Sequence, residues 1–303
     1  MSLFDEVSKL STEQRNPASV QMDELGTSEI LALINDEDAK VAAVVRGEIP
    51  VITKVVEELI ARFTRGGRLF YLGAGTSGRM GVVDASECPP TFGTDPTMVQ
   101  AIMAGGDAAV FRSREGAEDD PENGAQEVRN RQVNNTDLVV GIAASKRTPF
   151  VLGALETAHK LGAYTVLLTT NPRSEVNFDF LDEAICPVVG PEVLMGSTRM
   201  KSAVAQKMVL TMITTTAMVR LGKVYENMMV DLHQTNKKLE ERSKRIIMLA
   251  TGCDYDRAAE LLLVSGKHVK TAIVMQMKNV DRAEAVKLLV EHDGFTKQAI
   301  RAE

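Results

Sequence analysis

The chain has 303 residues, 44% of them hydrophobic and 25% charged, which supplies a large core and excludes a disordered chain. A net charge of −6 excludes nucleic acid as the main partner, since a phosphate backbone rewards a basic face. No apolar run reaches the ~18 residues that a membrane helix needs, so no membrane contact is expected.

In chain order, the segment to about residue 45 reads as an irregular arm with a short helix from Ser28 to Ile34. Its first residues, MSLFDEVSKLSTEQRNP, are polar and mixed in charge, unlike a signal peptide or an anchor, and a cytoplasmic protein is expected. Pro50 opens a helix with Val51, Val55, Leu59 and Phe63 on one face, stopped by Gly66-Gly67. Short apolar runs then alternate with helical segments. The strand candidates are Arg68–Leu72, Val99–Met103, Leu138–Ala143, Tyr164–Thr169 and Ala184–Val188. Pro121–Gln132 and Pro149–Leu161 are helices between them. This pattern predicts an α/β fold, a five-stranded parallel sheet covered on both faces. Two long helices follow, Arg199 to about Leu221, rich in Met, Thr and Val, and Tyr225 to about Ala250. From Thr251, short helices such as Asp256–Val264 and Arg282–Val290 predict a small helical tail. The expected division is an arm over 1–48, a main domain over 49–250 and the tail over 251–303, with no internal repeat evident.

The three cysteines (Cys88, Cys186, Cys253) form no CxxC pair, which points to reduced thiols rather than a disulfide framework or zinc site. The four histidines (His159, His233, His268, His292) lack ligand spacing, so each reads as a surface or capping residue and no metal is expected.

The strongest local signal is RLFYLGAGTSGRMGVVDASE, a buried strand running through a glycine-rich turn into a helix that begins near Ser77. Glycine lets backbone approach a ligand, and a helix start presents unpaired N–H groups and the positive end of its dipole. Gly75, with the hydroxyls of Thr76 and Ser77, suits a phosphate monoester. Gly73, Gly75 and Gly78 also match GxGxxG, but the next strand ends at Met103-Ala104-Gly105-Gly106 with no ribose-holding carboxylate. No GK[ST] closes a P-loop. A tight turn without ligand is the bland alternative.

A second loop, GIAASKRTPF, places Ser145 and Thr148 where a helix should begin, on the same edge of a parallel sheet. A third, PEVLMGSTRMKS, places Ser197, Thr198, Arg199 and Lys201 before a helix; its basic residues either neutralise phosphate or are solvated. Among the carboxylates, Glu87 sits at the expected end of the first helix, where the dipole favours a protonated carboxyl. Glu115 and Glu118 lie in SREGAEDDPE, as candidate site residues or a solvated acidic loop, while Asp119 and Asp120 are placed to cap the next helix.

These segments together resemble one family over nearly the whole chain. TEQRNPAS (Thr12–Ser19), GAGTSGRMGVVDASECPPTFG (Gly73–Gly93), EGAEDD (Glu115–Asp120), GIAASKRTPFVLGAL (Gly141–Leu155), GPEVLMGSTRMKSAVAQK (Gly190–Lys207) and GKVYENMMVDL (Gly222–Leu232) resemble the N-acetylmuramic acid 6-phosphate etherases. DASECPPTFG and EGAEDD mark that family and its relative, the glucokinase regulatory protein; GAGTSGR marks only the wider sugar isomerase (SIS) group. The resemblance implies a doubly wound, flavodoxin-like SIS domain and cleavage of a lactyl ether on a sugar phosphate. It implies Glu87 as proton donor and Glu118 as base, a homodimer as the working form, and no metal or organic cofactor. An aldose–ketose isomerase on the same fold, or a sugar-phosphate sensor, are the alternatives. One departure stands out: the family's second loop reads AASGRTP, and here Lys146 replaces the glycine. That lysine either strains the loop or adds a cation to the phosphate site.

Overall fold

The computed structural model describes residues 10–232 and 237–302, so His233 and the start of the N-terminal arm lie outside the described residues. Helices Thr27–Asp38 (α1), Val41–Gly47 (α2) and Ile49–Thr64 (α3) precede the sheet. The sheet strands are Leu69–Gly73 (β1), Val99–Met103 (β2), Leu138–Ile142 (β3), Tyr164–Leu168 (β4) and Glu183–Ile185 (β5). Between them run Gly75–Phe92 (α4), the single turn Ala108–Phe111 (α5), Pro121–Asn130 (α6) and Pro149–Lys160 (α7).

All neighbouring strands are parallel in the order β2-β1-β3-β4-β5, the expected doubly wound arrangement. Such strands are buried on both faces, which is why β1 and β3 read as unbroken apolar runs and are wholly buried. One face is filled by Phe70, Leu72, Val139 and Leu167 against Phe150, Val151, Ala154 and Leu155 of α7. The register sets Met103, Gly73, Ile142 and Leu168 side by side at the C-terminal edge. The chain reverses its direction of growth between β1 and β3, where this fold class leaves its crevice.

Helices α6 and α7 meet through glycines. A Cβ on Gly124 would lie 2.0 Å from the Phe150 carbonyl oxygen, and one on Gly153 2.2 Å from that of Pro121. Helix propensity favours alanine over glycine by about 1 kcal/mol. Here the backbones are too close, and Gly124→Ala or Gly153→Ala is expected to lose about 1–3 kcal/mol instead. Denaturant titration checks this; a gain in stability in either variant would contradict the close seam.

The chain forms two units, Met1–Ala85 with Thr97–Ile213, and Ser86–Pro96 with Thr214–Glu303. The long helix Lys201–Arg220 (α8) begins in the first and ends in the second. The expected helix from Tyr225 is corrected. Val224–Tyr225 (β6) and Met228–Met229 (β7) pair as a small hairpin, and the next described helix is Lys237–Thr251 (α9). Glu226 turns the hairpin at φ +54°, which no helical residue adopts.

Four helices close the second unit: Tyr255–Val264 (α10), Val269–Lys278 (α11), Arg282–Glu291 (α12) and Thr296–Arg301 (α13). They are two copies of one helical hairpin, a repeat the sequence reading missed. Asp254 and Asp281 cap α10 and α12 by accepting from backbone N–H groups. Ala258, Leu261, Leu262 and Ala272 fall at the same positions of the first hairpin as Ala285, Leu288, Leu289 and Ala299 of the second, and all are buried. Few residues beyond this apolar skeleton match, so the repeat stays hidden until the helices are seen.

Candidate active site

The glycine loop does its work partly on itself. A Cβ on Gly73 would lie 2.6 Å from the Gly78 nitrogen, and one on Gly78 2.5 Å from the Gly73 oxygen. Those two glycines are therefore required by the crossing of β1 and α4, with or without a ligand. Gly75 differs: it sits at φ +54° with open space where a side chain would stand. The helix begins there, two residues earlier than expected, so Thr76 and Ser77 lie in its first turn with their N–H groups. Ser77 Oγ accepts a 3.0 Å hydrogen bond from Gln206 Nε2 of α8.

The second loop leaves β3 at the same edge. The Ala144 carbonyl accepts from Thr169 Oγ1 (2.9 Å), Thr170 Oγ1 (3.2 Å) and Asn171 Nδ2 (2.6 Å), which fixes the chain just before Ser145. Thr148 is the N-cap of α7, and its side chain makes no capping bond, so its hydroxyl is not consumed by the helix. Both readings of Lys146 meet a structural fact. Its φ is +61°, the left-handed region that suits glycine. Its Nζ lies 2.7 Å from Glu175 Oε2 and 3.2 Å from the Glu175 carbonyl, so that carboxylate takes up the cation. Left-handed backbone costs a residue with Cβ about 1–2 kcal/mol, and an ion pair near the surface returns about 0–1 kcal/mol. Lys146→Gly is therefore expected to raise stability by up to about 1 kcal/mol, read as a higher thermal midpoint; a lower midpoint would contradict this balance.

In the third loop Ser197 and Thr198 are partly buried and Arg199 is exposed. Lys201 fits neither expected role, being neither solvated nor left for a phosphate. It is 2% exposed, and its Nζ lies 2.6 Å from Glu37 Oε2 of α1. Glu192, fully buried, accepts from the backbone N–H groups of Lys201 and Ser202 at 2.9 Å each and so caps α8. Sequence reasoning missed this cap because it sits nine residues before the helix, outside the usual capping positions.

Glu115 and Glu118, both exposed, line a cavity of about 240 Å³ together with Gly75, Arg79, Ala104 and Ser113. Arg79 of α4 donates from Nε to the Val110 carbonyl (2.7 Å) and from Nη2 to that of Ala109 (2.8 Å), which holds α5 ahead of the acidic loop. The Phe150 N–H donates to the Glu118 carbonyl (3.0 Å), tying that loop to the head of α7. Asp120 caps α6 through the Asn123 N–H at 3.0 Å, the bland role expected of it. Thus the cavity gathers Gly75, Glu115 and Glu118; Thr76, Ser77, Ser145, Thr148, Ser197, Thr198 and Arg199 are not among its lining residues.

Glu87 is exposed on α4 and belongs to the second unit. The helix does not stop before Cys88 but carries Pro89 and Pro90 inside it as far as Phe92. Glu87 is therefore more than a turn from the helix end, and the dipole reason for giving it the acid's role falls away. Among the described residues, no group of three His, Cys, Asp or Glu side chains is arranged to hold a metal ion.

The chain is 58% identical to the N-acetylmuramic acid 6-phosphate etherase of Salinibacter ruber, over all of this chain and 97% of that one. It is 48% identical to the enzyme of the same name from Klebsiella aerogenes, over 97% of this chain and 98% of the other. The family model of the glucokinase regulatory protein N-terminal SIS domain matches residues 51–159. Among solved structures, phosphoheptose isomerase from Neisseria gonorrhoeae aligns with a TM-score of 0.47 at 14% identity, over 63% of this chain and 98% of that chain.

Proposed function

The chain belongs to the N-acetylmuramic acid 6-phosphate etherase family, and from that premise we propose how its residues cleave the D-lactyl ether of that sugar phosphate, releasing N-acetylglucosamine 6-phosphate and D-lactate. The observation that carries the reading is the cavity in which Gly75, at the start of the anion-receiving helix, lies together with Glu118 and Glu115.

In this reading the phosphate docks at the first turn of α4, against backbone N–H groups and the hydroxyls of Thr76 and Ser77. Ser145 and Thr148 approach from the second loop, and Ser197, Thr198 and Arg199 from the third. The sugar reacts in its open form, whose C2–H is acidic because the carbanion is stabilised by the neighbouring aldehyde. Glu118 takes that proton as general base. Glu87 donates a proton to the lactyl oxygen at C3, an alkoxide that leaves poorly unless protonated. The C3–O bond breaks and a C2=C3 double bond forms. Water then adds at C3 and a proton returns to C2, giving the product. Glu115 sits beside the base, where it can hold a sugar hydroxyl. Two carboxyl groups in different surroundings can divide the acid and base tasks in this way.

We place the enzyme in the cytoplasm, which its three free cysteines support. The working form is taken as a homodimer, as the resemblance to the family implies. The test of the activity is D-lactate release from N-acetylmuramic acid 6-phosphate, compared with the same sugar lacking its phosphate. Release that depends on the 6-phosphate is expected. Binding of the sugar phosphate without lactate would favour a sensor, and conversion to a ketose would favour an isomerase.

A further inference from the structure

Helix α8 carries a side chain that its surroundings do not explain. Gln206 is fully buried, as are Ala203, Ala205, Val209 and Leu210 on the same stretch of helix. A primary amide there is costly unless it is bonded. Its Nε2 has one partner, Ser77 Oγ at 3.0 Å, and its Oε1 is buried with no hydrogen-bond partner. A half-satisfied amide weakens a core relative to an apolar side chain of the same shape. What this one gains is control of a single hydroxyl, the one in the first turn of α4.

We propose that Gln206 is a positioning residue that sets the Ser77 hydroxyl as a hydrogen-bond donor to the substrate's phosphate. A serine hydroxyl has one proton and two lone pairs. With the Gln206 N–H occupying a lone pair, the Ser77 proton is left to point elsewhere, and the backbone N–H groups of the same turn already favour an anion. The opposite amide orientation would draw the Ser77 proton to Oε1 and turn lone pairs toward the phosphate. The substrate's charge therefore selects the donating arrangement. This inference rests on the phosphate site proposed above and adds to it a residue that does not itself touch the ligand.

The test is a double-mutant cycle read on the dissociation constant for N-acetylglucosamine 6-phosphate, measured calorimetrically on the full chain. Binding of the product needs no ether chemistry, so a failure of the etherase reading leaves this readout intact. Gln206→Met keeps the side-chain length and removes both polar atoms. It is expected to weaken binding about tenfold, the loss of one hydrogen bond to a charged group. The thermal midpoint should stay level or rise, because an unpaired buried oxygen is removed. In a Ser77→Ala background the same substitution should change affinity less than twofold. Gln206→Glu should weaken binding more than Gln206→Met, since a carboxylate only accepts and adds like charge. An unchanged affinity in Gln206→Met, or an equal loss with and without Ser77, would overturn the proposal. So would a fall in midpoint large enough to account for the weaker binding.

Discussion

Glu118→Gln and Glu87→Gln are each expected to lower D-lactate release by about 10²–10⁴-fold, the usual contribution of a positioned general acid or base. Both side chains are exposed and glutamine matches glutamate in shape, so each variant should fold with an unchanged thermal midpoint. Exchange at C2 in deuterated water separates their roles. A base at Glu118 means that Glu118→Gln loses both exchange and lactate. An acid at Glu87 means that Glu87→Gln keeps exchange at C2 while lactate release collapses. The reverse pattern would swap the two roles, and a wild-type rate in either variant would remove that residue from the mechanism.

Glu37→Gln is expected to be the most destabilising substitution in the first unit, by about 3–5 kcal/mol. Glu37 is 4% exposed and accepts from Lys201 Nζ at 2.6 Å, from Asn16 Nδ2 at 2.9 Å and from Lys40. Asn16 also donates to the Pro191 carbonyl at 3.1 Å, so one carboxylate gathers the N-terminal arm, α1, the third loop and the start of α8. Without it the Lys201 ammonium stays buried and uncompensated. Burial pushes the Glu37 pKa up, but hydrogen bonds from Lys201, Lys40 and Asn16 outweigh it and hold it at about 2. A folded-state value below the unfolded one gives stability that is complete above the ordinary glutamate range. That stability is lost as pH falls from about 4.5 toward 2. Unfolding free energies measured across that window should decline in the wild type and show a shallower decline in Glu37→Gln. Equal slopes would contradict the assignment.

The sheet was legible because buried parallel strands leave continuous apolar runs, and four of the five strands differ from their expected bounds by no more than one residue at either end. Element type failed where local chemistry outweighed periodicity. The Met-Met stretch after Glu226 has a helical look, but a left-handed residue folds it into a hairpin. Helix α4 ran past Pro89 and Pro90, which a reading of single residues takes as a stop. For the site, the glycine loop and the acidic loop were visible because their residues are close in sequence. The long-range ties were not: Arg79 to the α5 carbonyls, Gln206 to Ser77 and Lys201 to Glu37 join segments with no shared pattern. Gln206 itself stands beside Lys207 in the sequence, so nothing local marks it as buried.

The most direct measurement is the fate of oxygen when the protein converts N-acetylmuramic acid 6-phosphate in H₂¹⁸O. Elimination followed by hydration breaks the bond between C3 and the lactyl oxygen, so ¹⁸O should appear at C3 of N-acetylglucosamine 6-phosphate and the D-lactate should carry none in its hydroxyl. Label in the lactate hydroxyl, with C3 unlabelled, would mean cleavage on the lactyl side and would contradict the account.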